Sequence, residues 1–147
     1  MILLLGFPKS GTTSFQNLFN QLGYNSIHWK YKDVYIGSII KKNKTEHRIL
    51  LEGLLDVDCI TQLDVCLNHH DNYWPQIIDY QQLYRENKDA TFILNKRDPQ
   101  KILDSFKHWG YQKDVYPSCY LDRLGARHGA SSYLVKLPRS VQLAYSI

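Results

Sequence analysis

The chain opens Met1-Ile2-Leu3-Leu4-Leu5-Gly6-Phe7-Pro8-Lys9-Ser10-Gly11-Thr12-Thr13-Ser14. Met1 to Leu5 is an unbroken apolar run closed by Gly6, the pattern of a strand buried on both faces in a parallel sheet. Gly6 to Ser10 reads as a loop. From about Gly11 to Leu22 the apolar residues Phe15, Leu18, Phe19 and Leu22 recur at helical spacing, and Gly23 supplies a stop. Strand, glycine loop and helix are the opening of a βαβ unit.

Further along, the same two periods alternate. Tyr31 to Lys42 reads as a short helix whose lysines suit a helix C-terminus. Ile49–Leu55 and Cys59–Val65 are short apolar runs, the second expected to be a strand. Tyr73 to Asn87 is expected to be a helix, with Pro75 in its first turn and Trp74, Ile77, Ile78, Gln81 and Tyr84 on one face. Ala90 to Leu94 reads as a strand. Pro99 to Trp109 reads as a helix with Ile102, Leu103, Phe106 and Trp109 along one side. Strands alternating with helices imply an α/β fold with a parallel sheet. The tail from Gly110 is richer in Gly, Ser, Tyr and Arg, has poor periodicity and is left unassigned.

The 147 residues, 44% hydrophobic and 22% charged, are ordinary globular composition, expected to form one domain over 1–147. Disorder, collagen and coiled coil are excluded as the main character. No apolar run approaches the roughly 20 residues of a membrane span. Met1–Leu5 is too short for a signal-peptide core and has no basic segment before it. The chain is therefore expected to be soluble and cytoplasmic, with no membrane segment. Cys59, Cys66 and Cys119 show no C-x-x-C spacing and read as inert thiols rather than a disulfide framework or zinc site. A formal charge of +4 suits an anionic ligand without demanding nucleic acid, and none is expected as a partner. The densest basic stretch, Lys41, Lys42, Lys44, His47 and Arg48, reads as a solvated helix end.

The glycine loop carries the strongest chemical signal. At a strand-to-helix junction the first amides of the helix are unpaired, and the helix dipole adds roughly half a positive charge. Gly6 and Gly11 let the backbone approach an anion closely. Thr12, Thr13 and Ser14 offer hydroxyl donors and Lys9 a full charge. The spacing is nearly that of the NTPase loop G-x-x-x-x-G-K-[ST], but Thr12 stands where that motif needs its lysine. The Walker-B aspartate that would hold magnesium is also missing, because Asp98 follows Asn95, Lys96 and Arg97 rather than an apolar run.

The segment Pro8-Lys9-Ser10-Gly11-Thr12-Thr13-Ser14 resembles the 5′-phosphosulfate loop of sulfotransferases that use 3′-phosphoadenosine 5′-phosphosulfate (PAPS). It is particularly like the branch that begins G-F-P-[RK]-[ST]-G-T-T-S and later shows R-D-P. The resemblance implies an α/β, P-loop-containing three-layer fold, a parallel sheet flanked by helices, here short at the C-terminus. It implies PAPS as sulfuryl donor with no metal. It gives Lys9 a catalytic role, contacting the phosphosulfate and stabilising the bridging oxygen as the sulfuryl group leaves. Ser10, Gly11, Thr12, Thr13 and Ser14 would bind the nucleotide beside it.

A second segment, Phe92-Ile93-Leu94-Asn95-Lys96-Arg97-Asp98-Pro99 and on to Ser105, looks like the family's 3′-phosphate site: a strand, R-[ND]-P, then a helix with a serine eight residues after the arginine. Arg97 at a strand's carboxyl end can fork two N–H bonds to a phosphate. Pro99 starts the helix without wasting an N–H. Ser105 would face the ligand from the side, with Ile102 and Phe106 toward the core. Both segments put their polar residues at the carboxyl ends of strands, where open α/β sheets bind ligands.

Sulfuryl transfer to a hydroxyl or amine also needs a base beside the acceptor. The family uses His in some branches and an acidic residue in others. Asp64, ending the Cys59–Leu63 run, is the favoured base, with His69 and His70 close behind and Asp71 in the same loop. Asp56, Asp58 and Glu52 are less favoured. His69-His70-Asp71 lacks a companion ligand and makes a poor metal site. Tyr24, His28, Trp29 and Tyr31 could line an acceptor pocket, although core packing is the commoner use of aromatics. The acceptor class implied is a small molecule or carbohydrate.

The motif resemblance covers roughly Met1 to Trp109. Family members carry a later basic loop, G-x-x-G-x-x-K, with no convincing counterpart here; Arg127, Lys136 and Arg139 are weak substitutes. Two other readings therefore stand beside the enzyme: a non-catalytic or truncated nucleotide-binding relative, and a P-loop small-molecule kinase.

Overall fold

Residues 1–67, 72–98, 100–102, 104, 105 and 108 are described by a computed structural model. Their elements run β1 (Ile2–Gly6), α1 (Thr12–Gln21), β2 (Ser26–Ile27), β3 (Lys30–Tyr31), β4 (Val34–Tyr35), α2 (Ile36–Thr45), β5 (Cys59–Ile60), β6 (Val65–Cys66), β7 (Asn72–Tyr73), α3 (Pro75–Ile78), α4 (Tyr80–Glu86) and β8 (Thr91–Asn95). Residues 100–102, 104, 105 and 108 are helical. The expectations on Asn68 to Asp71, on Pro99, Leu103, Phe106 and Trp109, and on the tail with Cys119, Arg127, Lys136 and Arg139 lie outside the described residues.

The fold is α/β, with a four-stranded parallel sheet in the order β2-β5-β1-β8, flanked by helices. The Met1–Leu5 run is central in it. Leu3, Leu4 and Leu5 are buried, and the strand has a neighbour on each side, as an apolar run without alternation requires. Pairing with β8 extends in register from Ile2 opposite Thr91 to Gly6 opposite Asn95. The core gathers Leu3, Leu5, Leu94 and Ile60 of the sheet with Ile36 and Ile40 of α2, Leu83 of α4, and Leu50, Leu51 and Leu54. Each fully buried leucine or isoleucine contributes roughly 1.5–3 kcal/mol of transfer free energy.

Three expected elements take a different form. Tyr31–Lys42 is not one helix: β3 and β4 form a small antiparallel hairpin, and the helix starts only at Ile36. Cys59–Val65 is not one strand. The strand itself stops at Ile60, although Thr61 N–H still donates to the Ile27 carbonyl at 3.0 Å and Trp29 N–H to the Gln62 carbonyl at 3.3 Å, and Val65 begins a hairpin with β7. Tyr73–Asn87 breaks at Asp79, whose carboxylate does not cap α4. It is drawn instead to Lys44 of α2 and to the Tyr73 hydroxyl, and it lies buried between them. With the break, the expected face holds only in part: Trp74 is buried and Ile77 half-buried, but Ile78, Gln81 and Tyr84 are exposed, while Gln76 and Leu83 are buried instead.

Ile49–Leu55 is a run of turns rather than a strand. The buried Asn43 side chain holds it, donating from Nδ2 to the Leu50 carbonyl at 3.0 Å and the Glu52 carbonyl at 2.9 Å. The basic stretch is a solvated helix end as expected. Lys42 reaches Glu46, and Arg48 pairs with Glu46 and Glu52 at the surface, where water and salt screen such contacts. Among the described residues no helix is long and apolar enough to cross a membrane.

Candidate active site

The glycine loop between β1 and α1 sits at the carboxyl edge of the sheet, where backbone geometry explains both glycines. Gly11 has φ +101°, a left-handed conformation that L side chains resist, with open space where a Cβ would stand. At Gly6 the limit is contact: a Cβ would meet the Asn95 carbonyl oxygen at 3.0 Å and Ser10 Oγ at 3.2 Å. Lys9 is itself left-handed, with φ 67°, so the loop holds a non-glycine residue in a sparsely populated conformation. The first bonds from the helix amides to a carbonyl of the turn are Ser14 N–H to Gly11 O at 3.0 Å and Phe15 N–H to the same oxygen at 3.3 Å. The amides of Thr12 and Thr13 precede them, at the positive end of α1. Thr13 and Ser14 are exposed. The loop thus has the cation, the donors and the open space that a phosphate group needs.

The second segment meets this loop directly. Asn95, the last residue of β8, donates from Nδ2 to the Ser10 carbonyl at 2.8 Å and to Ser10 Oγ at 3.1 Å. Arg97 Nη1 donates to the Lys9 carbonyl at 2.5 Å, with the rest of its side chain exposed. Asp98 then caps the following helix, accepting from the Lys101 amide at 3.0 Å, while the Ile102 amide binds the Asp98 carbonyl. Ser105 is half-buried on that helix and Ile102 is buried.

Asp64 lies just past the sheet's edge, but its carboxylate has no exposed surface. Gln76 Nε2 donates to one oxygen at 3.2 Å and Gln62 Nε2 to the other at 3.3 Å. Burial pushes its pKa up to about 7, against the lowering effect of those bonds. A group enclosed in this way cannot touch an acceptor hydroxyl. Asp64 is therefore part of the floor beneath the loop, not of the acceptor face where the sequence put it. Asp56 and Asp58 are tied up elsewhere, accepting from the Tyr31 hydroxyl and the Asn25 amide. His69, His70 and Asp71 lie outside the described residues.

His28, grouped in the sequence only with aromatics, faces the loop. Its Nδ1 is 3.0 Å from Thr61 Oγ1, and Nε2 is 3.3 Å from Thr13 Oγ1. The Thr61 hydroxyl donates to the Ile27 carbonyl at 3.2 Å. With that hydrogen committed, Thr61 can only accept from His28, which puts the ring proton on Nδ1 and leaves Nε2 as the lone-pair nitrogen toward the loop. Burial also holds the His28 pKa below the ordinary histidine value. The other aromatics of the expected acceptor pocket do not gather: Tyr24 packs on Phe19, Trp29 on Tyr35, and Tyr31 turns to Asp56. Sequence reasoning missed His28, Gln62, Gln76 and Asn95. For Asn95 a signal existed, since a polar residue ending a strand beside the loop is placed to hold it.

In class this is an α/β protein with a strand, a glycine loop and a helix at the carboxyl edge of a parallel sheet. The chain belongs to the sulfotransferase domain family, whose model matches residues 1–137. That span includes residues 110–137 of the tail that periodicity left unassigned. No curated protein and no solved structure matches the chain.

Proposed function

We propose that the chain is a PAPS-dependent sulfotransferase acting on a hydroxyl or amine of a small-molecule or carbohydrate acceptor. The observation that carries this reading is the junction of the two nucleotide segments. Arg97 and Asn95 reach the backbone of Lys9 and Ser10, so groups suited to two phosphates lie at one sheet edge. When bound, the donor supplies a sulfuryl group that moves to the acceptor oxygen or nitrogen as its bond to the 5′-phosphate oxygen breaks. Lys9 and the amides of Thr12 and Thr13 stabilise the negative charge left on that phosphate. Thr13 and Ser14 orient it, and Arg97 with Ser105 hold the 3′-phosphate. His28 Nε2, rather than Asp64, receives the proton of the acceptor. Among the described residues no cluster of His, Cys, Asp and Glu could hold a metal ion. The kinase alternative also lacks support from the loop, where Thr12 replaces the lysine that NTPases use.

Calorimetric titration with 3′-phosphoadenosine 5′-phosphate tests the reading. Binding is expected, weakened at least tenfold by Lys9→Ala and by Arg97→Ala, consistent with the 1.5–3 kcal/mol typical of about one charged hydrogen bond. The absence of binding by the intact chain refutes it. A radiolabelled sulfate-transfer screen over acceptor classes, with Lys9→Ala as control, then separates the enzyme from a non-catalytic binder.

A further inference from the structure

Below the glycine loop runs a chain of enclosed hydrogen bonds that the transfer chemistry leaves unused. Thr12 Oγ1 donates to Gln62 Oε1 at 3.1 Å, and Gln62 Nε2 donates to Asp64 Oδ2 at 3.3 Å. On the other side Gln76 Nε2 donates to Asp64 Oδ1 at 3.2 Å and reaches the Gly6 carbonyl at 3.5 Å. Thr12, Asp64 and Gln76 are all buried. The direction of the chain follows from one fact: an ionised carboxylate only accepts, so both glutamines must turn their NH2 groups to it. That orientation strands Gln76 Oε1, which is buried with no partner among the described residues. It also commits the Thr12 hydrogen downward, to Gln62. The Thr12 hydroxyl then shows the loop only lone pairs, the wrong polarity for a phosphate oxygen.

We propose that Asp64 is a positioning residue for the nucleotide site: a proton taken up there reverses the Asp64–Gln62–Thr12 chain and makes the Thr12 hydroxyl a donor to the bound phosphate. The inference rests on the nucleotide reading above. The balance is simple. A proton from solvent forms an O–H bond on Asp64 Oδ2, which donates to Gln62 Oε1. The Gln62 amide turns over, its Nε2 donates to Thr12 Oγ1, and the Thr12 hydrogen swings to the ligand.

Burial makes the proton exchangeable near neutrality, since the Asp64 pKa is pushed up to about 7. Among the described residues, the groups bonded to or packed on Asp64 are uncharged: Gln62 from its own turn, Gln76 from α3, and the Gly37 backbone of α2, with the Gly6 carbonyl of β1 reached by Gln76. Of the charged groups on these elements, Lys41 and Lys42 are exposed in the later turns of α2, and Lys44 pairs with Asp79, which also accepts from Tyr73 of β7. Lys9 stands in the loop above, and His28, just past β2, reaches Thr13.

Calorimetry with 3′-phosphoadenosine 5′-phosphate between pH 7.5 and 9, in buffers of different ionisation enthalpy, tests the relay where the nucleotide's own phosphates no longer titrate. Wild type should take up close to one proton at pH 8, and its affinity should fall toward about tenfold per pH unit. Asp64→Asn and Thr12→Val should each bind with little proton uptake and a flat profile. Uptake that survives in Thr12→Val but vanishes in Asp64→Asn means the phosphate charge alone raises the Asp64 pKa, and overturns the relay. A flat profile in wild type overturns it without need of any variant, and leaves the nucleotide site standing. No binding at any pH removes the nucleotide site and the relay with it.

Discussion

His28 shows how a single side chain acquires a task from its neighbours. Thr61 spends its hydrogen on Ile27, which fixes the imidazole tautomer, and the fixed tautomer aims a basic nitrogen at Thr13. Because burial lowers its pKa, His28 is neutral and able to accept a proton throughout the neutral range. Protonation blocks it only at pH values below the ordinary histidine value of 6.5, so the transfer rate should rise with pH and level off above that point. His28→Ala should lower kcat by about 10²–10⁴. Its affinity for 3′-phosphoadenosine 5′-phosphate should stay within about twofold of wild type. Sulfate-transfer rates measured from pH 5 to 9 at saturating nucleotide check both statements. Wild-type turnover in the variant places the base elsewhere. The sequence could not single out His28, because the two-residue strand that aims it is too short to leave a periodic trace. Asp64 was visible for the opposite reason: its position after an apolar run was right, and only its enclosure by two glutamines could not be read.

At the scale of elements, α2 rests on the turn that carries Asp64, and Gly37 permits the approach. A Cβ there would lie 2.3 Å from the Val65 amide nitrogen and 2.5 Å from the Asp64 carbonyl carbon. Both neighbours are backbone, which cannot rotate aside as a flexible side chain would. Gly37→Ala should therefore destabilise the fold by about 2–3 kcal/mol, measured by urea denaturation, despite alanine's better helix propensity. Elements that bury two faces or repeat over several residues were legible: β1, α1 and β8 fall within a residue or two of their expected ends. Elements defined by a tertiary contact were not. The helix break at Asp79 exists because Lys44 and Tyr73 claim its carboxylate, and no local pattern announces partners that arrive from other elements. On α1 the apolar spacing was right but coverage is partial: Phe19 is buried while Leu18 and Leu22 are exposed.

For the molecule as a whole, the sheet order brings the two motifs together. Placing β8 beside β1 sets Asn95 opposite Gly6, and Arg97 follows at the mouth of the loop. Their juxtaposition could be anticipated from the motifs, but its atomic form, an asparagine fastening Ser10 and an arginine seated on the Lys9 carbonyl, could not. A ligand bridging both segments should tie the sheet together. At about 100 times its Kd, 3′-phosphoadenosine 5′-phosphate should add about 2.7 kcal/mol and raise the melting temperature by about 5–10 °C. Adenosine 5′-monophosphate, which lacks the second phosphate, should raise it less at equal concentration; differential scanning fluorimetry gives the comparison.

The long separation between β1 and its partner also orders events during synthesis. The glycine loop leaves the ribosome well ahead of its partner strand, since the asparagine that fastens Ser10 comes 85 residues later. Parallel pairing of this kind needs a crossover and is slow, because distant chain must first be brought back. A nascent chain that stops short of Asn95 has translated the whole glycine-loop motif but lacks the two bonds that fasten Ser10. The motif is translated ahead of the residue that fastens it.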